Sequence, residues 1–380
     1  MTNGVRRVCY VSGTRADFGL MQSTLQAIHA SPILALDVVA TGMHLSERFG
    51  LTVREIEAAG LNVGARIQVE MDTSTGATMA RNLAKTLDGC VTAFERLQPD
   101  VVLLLGDRGE MLAGALAAIH LNIPVAHIHG GERSGTVDEP VRHAISKLSH
   151  FHFVATQDAR ERLIRMGEHA DTIFVTGAPG LDGLSDLVTL DRAALCNGVG
   201  FDPAKGLALF VYHPVLQEAD NAASEARALL EACLRQGLQV IALTPNSDAG
   251  SEGVRTVLEG NALHPQVRVL MHLPRLEFVS WMAACDVMVG NSSSGIIEAA
   301  SFGTPVLNVG VRQNLRERNG NITDVRVAGK DVDVALDHVL TGGRLMPGNV
   351  YGQDCAAQKI VQLLGSLDFS ASVLLKSNAY

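Results

Sequence analysis

The 380-residue sequence predicts an α/β protein made of two doubly wound domains. Three observations predict it. Short apolar runs of strand length alternate with longer amphipathic stretches along the whole chain, the rhythm of parallel βαβ units. These units form two series, separated at 178–205 by a stretch that mixes Gly, Pro and Asp. Each series carries a polar, glycine-containing block directly after a strand-like run, where open α/β sheets hold their ligands. The expected limits are residues 1–180 for the first domain and 181–354 for the second. A C-terminal helix within 355–380 is expected to pack back on the first.

In chain order, the runs at 8–12, 36–40, 101–105, 125–129, 151–155 and 173–176 read as strands of the first sheet. Amphipathic stretches at 20–29, 79–97 and 111–120 supply helices between them. The second series has strand-like runs at 207–212, 240–244, 267–271, 287–289 and 306–309. The last amphipathic stretch, 355–367, follows a loop at 342–352. There is no short-period repeat and no low-complexity segment.

Composition narrows the function. Hydrophobic residues make up 47% and aromatic residues only 4%, so stacking platforms for nucleic acid are scarce. A formal net charge of -9 also argues against a nucleic-acid partner, while leaving room for a local basic cleft. The six cysteines are scattered and form no C-x-x-C pair, which suits a reducing cytoplasm. No run is long enough to span a membrane, and the short apolar run after Arg6-Arg7 is too brief for a secretion signal. A cytoplasmic location is expected.

The densest chemistry lies between His127 and His143. The run Ile123-Pro124-Val125-Ala126 leads into His127-Ile128-His129-Gly130-Gly131-Glu132-Arg133-Ser134, then Gly135-Thr136-Val137-Asp138-Glu139-Pro140-Val141-Arg142-His143. Histidines, acids and arginine crowd one strand end there, which is expensive as packing and useful as acid/base chemistry. His127 and His129 alternate, so both can face one side of the strand. Asp138 and Arg142 are spaced i, i+4 and would share one face of a helix, where they also fit a plain surface ion pair. The two histidines lack further ligands at a metal spacing, so no metal is expected. His143, His150 and His152 fit packing or surface roles equally well.

Other strand ends carry related groups. Gly13-Thr14-Arg15-Ala16-Asp17 follows the first strand, where phosphates are often held; the same residues also fit an ordinary turn. In Gly106-Asp107-Arg108-Gly109-Glu110, Asp107 should neighbour the His127 block, though an aspartate there also fits a helix N-cap. His213 and Arg312 end strands of the second series and face the expected cleft. Gly290-Asn291-Ser292-Ser293-Ser294-Gly295-Ile296-Ile297-Glu298 should open a helix whose free N–H groups can bind phosphate. Glu298, about one turn inside, could grip a ribose diol. Together these suggest a nucleoside diphosphate site.

These residues resemble the UDP-N-acetylglucosamine 2-epimerases, specifically the hydrolysing branch of sialic and legionaminic acid biosynthesis. The resemblance covers nearly the whole chain. Its most specific parts are 13–17, 106–108, 127–143 and 290–298, in that order and spacing. Non-hydrolysing members typically read Gly-Thr-Arg-Pro-Glu at the first of these; here Gly13-Thr14-Arg15-Ala16-Asp17 matches the hydrolysing form. The position of His129 is held by glutamate in some hydrolysing members and by histidine in others.

The resemblance implies two Rossmann-like domains in the glycosyltransferase-B architecture. It implies a reaction in which a base removes the C2 proton of UDP-N-acetylglucosamine while UDP leaves C1, giving a glycal. Water then adds with inversion at C2, releasing N-acetylmannosamine. Asp107, His129, Asp138 and Arg142 are the implied catalytic residues. Arg15, His213, Ser292, Ser293 and Arg312 would hold the diphosphate and Glu298 the ribose, with Arg108 a further substrate- or UDP-binding residue. No cofactor is implied, and the expected partners are the nucleotide-sugar and a second copy of the chain, as a dimer or tetramer. The alternatives are the same reaction on a UDP-2,4-diacetamido-2,4,6-trideoxy sugar, a non-hydrolysing 2-epimerase, a glycosyltransferase of the same fold, or a non-catalytic UDP-sugar sensor.

Overall fold

The computed structural model describes residues 4–326, 331–352 and 355–380. It contains two wholly parallel sheets. The first has seven strands: β1 (Arg6–Ser12), β2 (Leu34–Thr41), β3 (Val63–Ile67), β4 (Val101–Leu105), β5 (Val125–Ile128), β6 (Phe151–Val154) and β7 (Ile173–Val175). The second has six: β8 (Leu207–Val211), β9 (Gln239–Leu243), β10 (Val267–Leu270), β11 (Val287–Gly290), β12 (Val306–Val309) and β13 (Ile322–Val325). Their spatial orders are β3-β2-β1-β4-β5-β6-β7 and β10-β9-β8-β11-β12-β13. Each order reverses direction once, between β1 and β4 and between β8 and β11. Crevices at such reversals, outside the carboxyl ends of the strands, are where this kind of sheet binds ligands.

Helices cover both faces. They are α1 (Arg15–His29), α2 (Val53–Ala58), α3 (Gly76–Leu97), α4 (Gly109–His120), α5 (Asp138–Leu148) and α6 (Gln157–Arg165) around the first sheet. Then come α7 (Arg192–Val199), α8 (Ala222–Arg235), α9 (Ser251–Gly260), α10 (Arg275–Ala284), α11 (Ser293–Ile297) and α12 (Asp331–Gly342), and finally α13 (Ala356–Ser366). The central strands are buried along their full length, as in Leu207–Val211, because layers on both faces exclude water. Val8, Tyr10 and Leu103 point into one apolar layer with Met21, Leu25 and Ile28 of α1. Cys9, Val11 and Leu104 point into the other with Ala93, Phe94 and Ala115. The second sheet is likewise sandwiched between two apolar layers.

The predicted strands and helices appear with ends shifted by a few residues, and two strands are added to those predicted. β3 and β13 are edge strands whose residues are mostly only half-buried, which blurs their apolar signal. The 178–205 stretch is more ordered than a plain link. It holds short 3-10 turns at Pro179–Leu181 and Leu184–Leu187, and then α7, whose Leu195 and Cys196 enter the second core beside Trp281 and Met282. α13 follows the second sheet in sequence, yet Ile360 and Leu364 pack with α1 in the first core. The Asp182 carboxylate accepts from the Ala356 and Ala357 amides and secures its start. Among the described residues no helix is long and apolar enough to cross a membrane.

Candidate active site

A cavity of about 340 Å³ opens between the carboxyl ends of the two sheets and is lined from both halves of the chain. That is within the usual size range of small-molecule sites.

The first wall begins at the turn after β1. Thr14 caps α1 in a reciprocal capping box with Asp17. Asp17 is buried and also accepts from the Gly13 amide at 3.1 Å and the Tyr10 hydroxyl at 3.2 Å, so it organises the turn. Arg15 then lines the cavity with Nε on Glu55 at 2.8 Å, while its Nη2 is buried without a protein partner.

Asp107 follows β4 and Asp138 opens α5. The expected Asp138–Arg142 pair does not form. Arg142 is fully buried and gives Nη2 to Asp107, while the nearest cation to Asp138 is Arg312, 4.0 Å away. A buried guanidinium seeks the carboxylate that tertiary packing supplies, and this outweighs a weak helical pair. Burial works to raise the Asp107 carboxyl, but Arg142, Arg316 and Arg312 hold it below its ordinary range. Burial and the charge of Asp107 push the Asp138 carboxyl up.

His127 and His129 do not face the site together. His127 is buried behind it, with ring nitrogens on the Gly106 carbonyl at 2.7 Å and the Ser146 hydroxyl at 3.1 Å. Burial lowers it to about 3, so it is a neutral packing residue. His129 lies one residue past β5 in the left-handed region, with φ at 61°, and this turn puts its ring on the cavity wall. Its Nδ1 meets Glu132. His150 and His152 are engaged away from the cavity, by the Val125 amide and by Glu168. His143 lies 3.7 Å from Glu139.

The second wall is built at β8, β9, β11 and β12. Asn291 clasps the main chain of His213 through two 2.8 Å bonds. The Asn246 amide donates to His213 Nδ1 at 3.4 Å, which leaves the proton of the neutral ring on Nε2. Burial first, then Arg312, lowers His213 to about 3, so it can donate to an anion without carrying charge. Gly290 ends β11 at φ 139°, and a Cβ there would collide with the Val211 carbonyl oxygen of β8. Ser292 then caps α11. This helix has only five residues, so Glu298 is its C-cap and does not lie inside it; its first-turn amides, more than any long dipole, are what it offers an anion. Glu298 is 1% exposed and pairs with Arg275. Arg312 donates to the Asn291 carbonyl at 3.1 Å.

The walls touch across the cleft. Arg108 reaches Asp248 at 3.4 Å, Arg316 pairs with Glu132, and Arg275 donates to the Gly180 carbonyl at 3.1 Å. Gly135 lies so close to Val311 that a Cβ would strike its carbonyl oxygen. Every expected site residue therefore borders one cavity: Arg15, Asp107, Arg108, His129, Asp138, Arg142, His213, Ser292, Ser293, Glu298 and Arg312. Sequence reasoning missed Glu132, Arg275 and Arg316. Glu132 stood in the singled-out block without a role. Arg275 and Arg316 lie outside every block singled out above, and only the folded chain brings them to Glu298 and Glu132. Among the described residues no group of three or more histidine, cysteine or acidic side chains is placed to hold a metal ion.

The family model described as UDP-N-acetylglucosamine 2-epimerase matches residues 26–365. The chain belongs to the UDP-N-acetylglucosamine 2-epimerase family. Among members of this 2-epimerase family, a Legionella pneumophila protein named UDP-N,N'-diacetylbacillosamine 2-epimerase (hydrolyzing) is 49% identical over 99% of this chain and 100% of its own. A Campylobacter jejuni protein named GDP/UDP-N,N'-diacetylbacillosamine 2-epimerase (hydrolyzing) is 32% identical over 87% of each chain. The solved Neisseria meningitidis UDP-GlcNAc 2-epimerase bound to UDP-GlcNAc superposes with a TM-score of 0.79 at 19% identity, covering 94% of this chain and 99% of that one. That likeness carries the two-sheet, glycosyltransferase-B type of fold.

Proposed function

We propose that the chain is a hydrolysing UDP-sugar 2-epimerase acting on a UDP-2,4-diacetamido-2,4,6-trideoxy sugar of the diacetylbacillosamine kind. The observation that carries this choice is the 49% identity, over essentially both full lengths, with a relative named for that reaction. The reaction eliminates UDP to a glycal and hydrates the glycal with C2 inverted, releasing UDP and the free sugar. The C2 proton is not acidic, so base, leaving-group stabilisation and exclusion of water must act together. Asp107, His129 and Asp138 are assigned to proton transfer, with Arg142 fixing Asp107. Arg15, Arg108, His213, Ser292, Ser293 and Arg312 are assigned to the diphosphate. Glu298, held by Arg275, is assigned to the ribose.

UDP-N-acetylglucosamine is the second reading, favoured by the description of the matching family model. Incubation of the protein with each nucleotide-sugar, followed by measurement of UDP and of the inverted free sugar, separates the two. Release of UDP only in the presence of an acceptor would identify a glycosyltransferase instead. The same reading takes the domain limits as 1–180 and 181–354, with the rest of the chain returning to the first domain. It places the enzyme in the cytoplasm as a dimer or tetramer, for which exposed Met346 and Val350 leave apolar surface.

A further inference from the structure

Glu132 is 3% exposed, and three contacts fix it. One carboxylate oxygen meets His129 Nδ1 and the other meets Arg316, while its main-chain carbonyl accepts from Arg142 Nη1 at 3.1 Å. His129 in turn holds a left-handed backbone that L-residues adopt only when their surroundings impose it. This turn of the backbone places the imidazole on the cavity wall. Nδ1 is occupied, and Nε2 has no protein partner among the described residues. A base ring held from behind by a buried carboxylate, with its second nitrogen free, is the arrangement by which carboxylates orient catalytic histidines. Asp107 is less suited to take the C2 proton in the first step because two arginines already claim it, which leaves it for proton transfer in the hydration step.

We infer that Glu132 is a positioning residue that holds the Nδ1 proton of His129, so that Nε2 meets the sugar unprotonated and accepts the C2 proton. The inference rests on the functional reading above. In the step, the C2–H bond breaks and its proton bonds to Nε2. The C–H electron pair becomes the second bond between C1 and C2, and the C1–O pair leaves with UDP. The imidazolium that forms is balanced by the Glu132 carboxylate 3 residues along the chain. Glu132 touches no substrate atom in this scheme, and the competing account makes it only the counter-ion of Arg316 across the cleft.

The test compares Glu132→Gln, Glu132→Asp, His129→Gln and the double variant His129→Gln/Glu132→Gln. Each is assayed for UDP release with the nucleotide-sugar that the parent turns over, and with that sugar deuterated at C2. Glu132→Gln should lower kcat by about 10²–10³-fold, within the range of one acid/base group, with KM within a few-fold and a larger deuterium effect on kcat. Glu132→Asp should recover part of the loss. In the His129→Gln background, Glu132→Gln should cost almost nothing further, because two residues acting as a unit are not additive. An equal loss in both backgrounds, or a change in KM at constant kcat, overturns the inference in favour of the counter-ion role. If Glu132→Gln does not fold, Glu132→Asp decides alone. Reduced kcat with a larger isotope effect and parental UDP affinity supports the inference; parental kcat or lost UDP affinity overturns it. If the parent releases no UDP from either sugar, the functional reading fails. If it does and His129→Gln turns over like the parent, only the dyad fails.

Discussion

Arg142 pairs with Asp107 at the end of β4 and not with Asp138, one turn before it on α5. Its remaining contacts are the Glu132 carbonyl at 3.1 Å and the Ser134 hydroxyl at 3.5 Å, so a fully buried cation is anchored at the floor of the cavity. The pairing separates two carboxyl groups that share one site. Asp107 is kept ionised by the arginines around it, whereas Asp138 is pushed towards the neutral form by burial and by Asp107 itself. Carboxyl groups with opposed environments are how one site supplies both a charge and a proton.

Asp107→Asn and Asp138→Asn should therefore keep UDP binding and lose turnover. A general acid/base group typically contributes about 10²–10⁴-fold. Both residues belong to the first wall, away from Ser292 and Glu298 on the second. Rates of UDP release together with calorimetric UDP affinity check this. A variant that turns over within a few-fold of the parent is neither the acid nor the base.

The same two substitutions should move stability in opposite directions. A carboxyl whose folded value is depressed, as for Asp107, contributes stability above its unfolded value and loses it as pH falls through the folded one. A raised carboxyl, as for Asp138, contributes below the ordinary value of 3.8 and loses that contribution as pH rises through its folded value. At pH 7, Asp107→Asn should lower Tm, because it leaves Arg142 buried without its carboxylate. Breaking a fully buried pair costs about 3–5 kcal/mol; Asp107 keeps 21% of its side chain exposed, so the loss should be smaller. Asp138→Asn should raise Tm at pH 7, and the gain should shrink as pH falls towards 3.8. Scanning calorimetry across that range reads both, and a fall in Tm for Asp138→Asn at pH 7 would count against the repulsion from Asp107.

What was legible in the sequence was whatever local pattern encodes. Central strands such as Leu207–Val211 are unbroken apolar runs, so they could be read directly, and the blocks at their carboxyl ends marked the site. Edge strands β3 and β13 bury too little to show an alternation. Partners could not be read. Asp138 and Arg142 have the spacing of a helical ion pair, but Asp107 and Arg312 take them, because the sheet order brings β4 beside β5 and the cleft brings in the second half. Arg316 sits in a charged stretch that looks like surface until Glu132 is seen opposite it.

Glu298→Gln should weaken UDP binding more than it slows the bound chemistry. Glu298 pairs with Arg275, which also donates to the Gly180 carbonyl at 3.1 Å, so the carboxylate is rigidly presented beside α11. Hydrogen bonds to charged groups are typically worth about 1.5–3 kcal/mol, or roughly ten- to a hundredfold in affinity. An unchanged UDP affinity by calorimetry would remove the ribose role.

Closure of the two halves on UDP should be required for turnover. Arg15, Asp107, His129 and Asp138 stand on one wall and His213, Ser292, Ser293, Glu298 and Arg312 on the other, so neither wall can both hold UDP and act on C2. Several contacts bridge them: Arg108 to Asp248 at 3.4 Å, Arg312 to Asp138 at 4.0 Å, Arg48 to Glu252, and Thr156 to Glu317. Ion pairs that keep contact with solvent contribute little, about 0–1 kcal/mol each, and are screened by salt. These exposed pairs align the closed form, and the buried Arg316–Glu132 pair is the stronger bridge between the walls. A diphosphate between Arg15, Arg108 and Arg312 adds further attraction, and closing over it keeps water from the glycal until hydration. Solution scattering should show a smaller radius of gyration with saturating UDP than without it, and the difference should grow as salt is raised, because the free form then opens further. An equal radius in both states at every salt concentration would mean that the halves are already locked and that UDP binding does no conformational work.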